Sequence, residues 1–175
     1  MIMFDKEYNF RGKHAEMVTM LTNEFDNKKN KFFEHNYDVY MLAPIIGFLY
    51  QRKAELDRNN EIKPTKIFPE QLINRADDFR FNYRLIILLD KKYESDLERR
   101  IEKAFRGMND ASDEELYESY VRGGIEVLYE KLIEGASKPE DYINKLYDFL
   151  EEFDERYNQE IDIESVLELC RNVKS

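Results

Sequence analysis

The 175 residues include one cysteine (Cys170), no tryptophan, four prolines and six glycines. A lone cysteine excludes an internal disulfide and fits a reducing compartment. So few glycines and prolines leave little turn chemistry for a many-stranded β fold. The longest apolar run, Val39 to Tyr50, is interrupted by Pro44. It is too short for the roughly 20 residues that cross a bilayer, so no membrane contact is expected. The N-terminus has no basic segment followed by an apolar stretch and does not read as a signal peptide. The expectation is a cytoplasmic protein. Histidine is scarce too: His14 and His35 are the only two, and His14-x-Glu16 lacks the i, i+4 spacing of a helical zinc pair. There is no glycine-rich phosphate loop, no Ser-His-Asp-like spacing and no paired-cysteine metal pattern. Neither catalytic residues nor a metal nor a cofactor is expected.

What is abundant is aromatic and helix-forming. Phe and Tyr number 12 each, which argues against disorder. The net charge is −10, unevenly placed: residues 1–107 hold 20 Lys+Arg and 18 Asp+Glu, and residues 108–175 hold 7 and 19. The acidic part should repel nucleic acid and anionic membranes, so any nucleic-acid contact would use the first part.

Periodicity and punctuation predict an all-α, single-domain bundle of seven or eight helices over residues 1–175, with residues 1–10 as a possible extended arm. A first helix is expected over 12–25, with Ala15, Val18, Leu21, Thr22 and Phe25 on one stripe. A second is expected over 38–57, capped by Asp38 and kinked or divided at Pro44. Residues 58–68 read as a loop with an extended piece at Thr65 to Phe68. Pro69 suits the first turn of a short helix, which leads into another over about 78–91. Three capping-box patterns follow: Ser95-Asp-Leu-Glu98, Ser112-Asp-Glu-Glu115 and Ser137-Lys-Pro-Glu140. Gly107 is a candidate stop for the first of these helices. Asp162 is the candidate cap of a last helix, with Ile163, Val166, Leu167 and Cys170 on one side.

The helix opened by Ser112 carries Gly123-Gly124 in its middle, where each glycine costs about 1 kcal/mol relative to alanine. Both share a broad face with Tyr120, Val127 and Leu128, so close helix packing is the leading explanation for them, and Gly47 and Tyr120 are candidate partners in that packing. Two basic groupings are candidate nucleic-acid contacts: Lys28, Lys29 and Lys31 beside Phe32-Phe33, and Arg99, Lys103 and Arg106 on one helix face. A solvated face with i, i+4 ion pairs is the competing account of each.

Asp38-Val-x-x-x-Ala43-x-x-x-Gly47, then Leu85-Ile-Ile-Leu-Leu89, then Tyr120-x-x-Gly123-Gly124-Ile125 together resemble the small helical accessory proteins of bacterial DNA phosphorothioation (Dnd-type) defence islands. The resemblance implies a cytosolic partner protein in a defence or DNA-modification system and carries over no catalytic residue. The expectation is therefore a non-enzymatic protein that binds a protein partner or its own copy. The alternatives are a nucleic-acid binder using the basic groupings and an acidic DNA mimic using residues 108–175.

Overall fold

The computed structural model describes residue 4, residues 6–106 and residues 110–157. Among these are seven helices and one two-stranded antiparallel sheet: β1 (Tyr8–Phe10), α1 (Lys13–Thr22), α2 (Asn36–Leu49), β2 (Thr65–Ile67), α3 (Pro69–Asn74), α4 (Ala76–Leu89), α5 (Leu97–Phe105), α6 (Ala111–Leu132) and α7 (Pro139–Tyr157). The expected helix after Asp162, with Ile163, Val166, Leu167 and Cys170, lies outside the described residues, as does Gly107.

Helix α6 is the spine. Every residue from Tyr120 to Leu128 is buried, including Arg122 and Glu126. A helix buried all round must be surrounded, and α1, α2, α4 and α7 all pack against it. The aromatic residues fill the space beside it. Phe4 lies against Phe79 (ring centroids 5.5 Å apart), Tyr40 meets Phe79 at 5.3 Å, and Tyr83 meets Tyr117 at 5.7 Å. The N-terminal arm thus contributes core: Phe4 and Phe10 are buried, and β1 pairs with β2 in the register Tyr8↔Ile67, Asn9↔Lys66 and Phe10↔Thr65.

Several boundaries differ from the sequence reading. The second helix stops at Leu49 rather than near residue 57. The stop is a Schellman-type turn in which Arg52 N donates to Gly47 O at 2.8 Å and Gln51 N donates to Phe48 O at 3.0 Å. Gln51 takes the left-handed conformation (φ 53°) normally left to glycine. Arg52, Lys53 and Ala54 then run as an extended strap along α6. There Ala54 N donates to Ser119 O at 3.0 Å, and Arg122 Nε donates to Ala54 O at 2.8 Å. Tertiary contacts override a helical propensity that was real but local. Asp38 is not the cap of α2 but its third residue, reaching back so that its Oδ2 accepts from His35 N at 2.9 Å. Pro44 sits inside the continuous α2. The start of α5 is capped by Asp96, which accepts from Arg99 N, and that of α6 by Asp110, which accepts from Ser112 N, in place of Ser95 and Ser112. A carboxylate one residue after Ser95 and another two residues before Ser112 have won these positions, strengthened by the positive end of the helix dipole. At α7, Asp141 rather than a Ser137–Glu140 box gathers the backbone N–H groups of Ser137 and Lys138, at 3.0 and 2.9 Å.

Candidate functional site

The backbones of α2 and α6 come close where the two helices cross. A Cβ placed on Gly124 would fall 1.7 Å from Ala43 O, and one on Gly47 would fall 2.1 Å from Tyr120 O. The Ala43-x-x-x-Gly47 stretch and the Tyr120–Gly124 stretch thus meet backbone to backbone. Gly123 serves a different neighbour: its Cβ would fall 2.0 Å from Arg52 O, so it makes room for the strap. The obstacles are backbone atoms throughout, and no side chain can swing aside to relieve them. The seam is filled and offers no ligand space.

Around this seam, buried acids are each met by partners from distant parts of the chain. Glu126 on α6 takes Lys13 Nζ at 2.7 Å, His14 Nε2 at 3.2 Å and Arg52 Nε at 3.3 Å. Burial alone would raise its pKa, but Lys13 and His14 outweigh that and hold it below the ordinary carboxylate range. His14 is buried, and burial lowers its pKa against the opposing pull of Glu126. Glu118 accepts from Tyr8 Oη at 2.5 Å and Tyr40 Oη at 2.7 Å. Its enclosure pushes its pKa up despite those donors. Asp90, at the end of α4, accepts from Tyr120 Oη at 2.8 Å and Lys53 Nζ at 3.3 Å. Its burial is outweighed by these donors and by Tyr93 N, and its pKa is held down. Asp113 is completely buried and takes Lys103 Nζ at 2.6 Å and Tyr93 Oη at 2.7 Å. These groups tie the strap, the N-terminal arm, α4 and α5 to the central helix. Of these acids, Asp113 also lines an open cleft.

Asp113 lies beside an open cleft of about 370 Å³ between α5 and the start of α6, lined by Glu94, Arg99, Glu102, Lys103, Arg106, Asp110 and Asp113. The fold therefore brings Arg99, Lys103 and Arg106 together. It sets four carboxylates among them, and Lys103 is committed to Asp113. Lys28, Lys29 and Lys31 lie in the loop between α1 and α2, where Lys31 Nζ approaches Glu34 at 3.4 Å. In the same loop Phe25 stacks on Tyr142 at 5.3 Å and shares a groove with Tyr129 and Ile133 at the far end of α6. Sixteen residues of helix separate Asp113 from Tyr129, about 24 Å along its axis. The two basic groupings sit toward opposite ends of the spine. Three acids that the sequence assigned to an acidic face, Asp113, Glu118 and Glu126, are instead turned inward to protein partners. His35 is exposed and stacks on Tyr37 at 4.6 Å, whereas His14 is buried. The acids Asp77 and Asp78 are exposed in the first turn of α4, with Arg80 Nη1 on Asp77 at 2.7 Å.

The surface the sequence reading missed is apolar. Leu97, Ile101 and Phe105 follow one another at four-residue intervals along α5 and are exposed. On α4, Phe81 and Leu89 are also exposed. Arg100 Nε donates to Leu88 O at 2.9 Å, and the Arg84 guanidinium lies 5.1 Å from the Phe105 ring centroid. These two contacts align α4 and α5 antiparallel. Phe81 is 64 % exposed and Phe105 54 %, far more than large aromatics ordinarily leave open. The i, i+4, i+8 spacing was legible in the sequence, but it also describes a buried stripe, and only the fold shows that nothing among the described residues covers it.

No helix among the described residues is long and apolar enough to cross a membrane, and no three His, Cys, Asp or Glu side chains there gather as a metal site. No curated protein and no solved structure matches the chain. A protein family does: the one described as DNA sulphur modification system-associated protein 4 matches residues 11–166, from the turn before α1 to beyond α7. The chain belongs to this family of proteins associated with DNA sulphur modification systems.

Proposed function

We propose that the chain is a non-catalytic component of its DNA sulphur modification system that binds another protein of that system through the outer face of α4 and α5. The observation that carries this reading is the exposed row Leu97, Ile101 and Phe105 on α5, with Phe81 and Leu89 exposed on the neighbouring α4 and nothing among the described residues over them. Exposed large apolar side chains on two neighbouring helices of a charged protein mark an interaction surface, and aromatic residues are enriched in such interfaces. Two antiparallel helices presenting apolar side chains suit a partner helix with an apolar face laid along them. The rest of the polar chemistry is consistent with a scaffold, because Asp90, Glu118 and Glu126 accept from structural partners and Asp113 is held through Oδ1 by Lys103 and Tyr93.

The test is co-expression of the tagged chain with the other proteins of its system. The unaltered chain should retain one of them on purification. Ile101→Glu and Phe105→Glu, both at exposed positions and therefore compatible with folding, should lose at least about tenfold of it, corresponding to about 1.4 kcal/mol. Undiminished retention by both variants at unchanged melting temperature would overturn the assignment of this face. Retention of DNA instead of protein, weakening steeply with salt, would favour the basic groupings at Lys28, Lys29, Lys31, Arg99, Lys103 and Arg106.

A further inference from the structure

The apolar row on α5 has a border, and the border is acidic. With 3.6 residues per turn, Leu97, Ile101 and Phe105 fall within about 80° of one another round the helix, and Glu98 and Glu102 occupy roughly the next 60°. Buried Arg100 and Ala104 bound the row on its other side. Arg99 and Lys103 lie about 160° from the middle of the row and line the cleft at the start of α6 instead. The neighbouring α4 carries the same combination. Asp78, Phe81, Leu85 and Leu89 follow one another at three- and four-residue spacings, with Asp77 four residues before Phe81.

The cations of these two helices are already engaged. Arg80 Nη1 meets Asp77 at 2.7 Å, and the Arg84 guanidinium lies over the Phe105 ring. Arg100 donates to the carbonyls of Leu88, Glu94 and Ser95, and Lys103 is held by Asp113. Asp78, Glu98 and Glu102 are exposed and have no ion-pair partner among the described residues. Three carboxylates without counterions thus accompany the exposed apolar side chains.

This complementarity names the partner's chemistry. Resting on the reading of α4 and α5 as a docking face, we infer that its occupant is a basic amphipathic helix of another protein, with an apolar stripe flanked by Lys or Arg. The stripe lies along Leu97, Ile101 and Phe105, about 12 Å of helix, and the flanking cations meet Asp78, Glu98 and Glu102. A helix laid in this way presents anchors at i, i+3 or i+4, and i+7, and the charges set its specificity and speed its approach. A second copy of the chain is disfavoured, because two acid-bordered faces repel. Nucleic acid and anionic lipid are disfavoured at this face for the same reason.

The probes are two labelled synthetic helical peptides with the same leucine stripe, one with Lys and the other with Glu at its polar positions. Binding to the full chain is read by fluorescence anisotropy at about 50 mM and about 300 mM salt. The Lys peptide should bind at least about tenfold more tightly than the Glu peptide, and the margin should shrink at the higher salt. The double variant Glu98→Lys/Glu102→Lys should weaken the Lys peptide by about tenfold or more. The control Glu134→Lys/Glu140→Lys makes the same change of net charge at exposed positions beyond the far end of α6 and should leave binding within about threefold. Equal weakening by both double variants would mean that only overall charge is read, and would overturn the inference. So would failure of the Lys peptide to bind, or a chain that dimerises by itself and is made monomeric by Ile101→Glu. Ile101→Glu also separates this inference from the reading beneath it. Unchanged binding of the Lys peptide to that variant would remove the face itself. Weakened binding there, with none in Glu98→Lys/Glu102→Lys, would keep the face and refute the basic partner.

Discussion

The polar residues of the interior were the least legible part of the sequence, because a carboxylate on a helix looks the same whether it meets water or a distant lysine. His14 shows what the difference does. Its pKa lies below the ordinary 6.5 in the folded protein because burial disfavours the charged ring. The folded state then binds fewer protons than the unfolded one below about pH 6.5. The contribution is fully present above that pH and is lost as pH falls through the folded value. Glu126, also held down, adds a loss at lower pH. Glu118, pushed up by enclosure, works in the opposite sense and favours folding as pH falls. His14→Gln can still donate to Glu126 while having no proton to take up. The melting temperature should therefore drop less between pH 7.5 and pH 5.5 in this variant than in the unaltered chain, and parallel curves would rule His14 out as the source. Lys103 makes the complementary point. Removing its ammonium in Lys103→Met leaves Asp113 buried without its cation, at a cost of about 2–3 kcal/mol in urea unfolding. No change would mean that Asp113 is satisfied from elsewhere.

At the scale of elements, the glycine seam sets two effects against each other. Alanine is better than glycine inside a helix by about 1 kcal/mol, so propensity alone predicts that Gly124→Ala stabilises. The new methyl would stand 1.7 Å from the Ala43 carbonyl oxygen, and separating two packed helices costs about 1–3 kcal/mol or more. The net expectation is destabilisation, read as a lower melting temperature, and an increase would mean that α2 and α6 can part cheaply. Gly135 is the contrast: nothing lies within 4 Å of its Cβ position, but its φ is +77°. Gly135→Ala should cost about 1 kcal/mol through backbone strain alone. The same competition between local and distant terms decides where α2 ends. Gln-Arg-Lys-Ala-Glu-Leu would extend a helix in isolation, yet the strap it forms binds Glu126, Glu130, Asp90, the Arg122 side chain and, through Ala54 N, the α6 backbone at Ser119 O.

For the whole molecule, folding consumes the features that composition made prominent and exposes one that it hid. The aromatic surplus is mostly core, as Phe4, Tyr40, Phe79, Tyr83 and Tyr117 show. Part of the acidic surplus is spent on α6. The two basic groupings end up toward opposite ends of the spine, so a single nucleic-acid strand would have to travel its length to use both. What remains on the surface among the described residues is the α4–α5 row and the outer side of α7. The chain carrying Ile101→Glu should lose its partner without losing stability, because the position is exposed.

The sequence by itself determined the helical class, the positions of most helices, extended chain within residues 1–10 and at 65–68, and the likeness to the Dnd-associated proteins, because periodicity, turn residues and glycine spacing are local signals. Only the tertiary structure decided that Gly47 and Gly124 face each other, that Gly123 answers to Arg52, that α2 stops at Leu49, and that Asp57 from a remote loop caps α1 by accepting from Lys13 N at 2.8 Å. It also decided that Glu118 and Glu126 are interior while Phe81 and Phe105 are not. Each of these turns on groups far apart in the chain, and the free energy of such a meeting resides in the geometry of the pair, which no local pattern records.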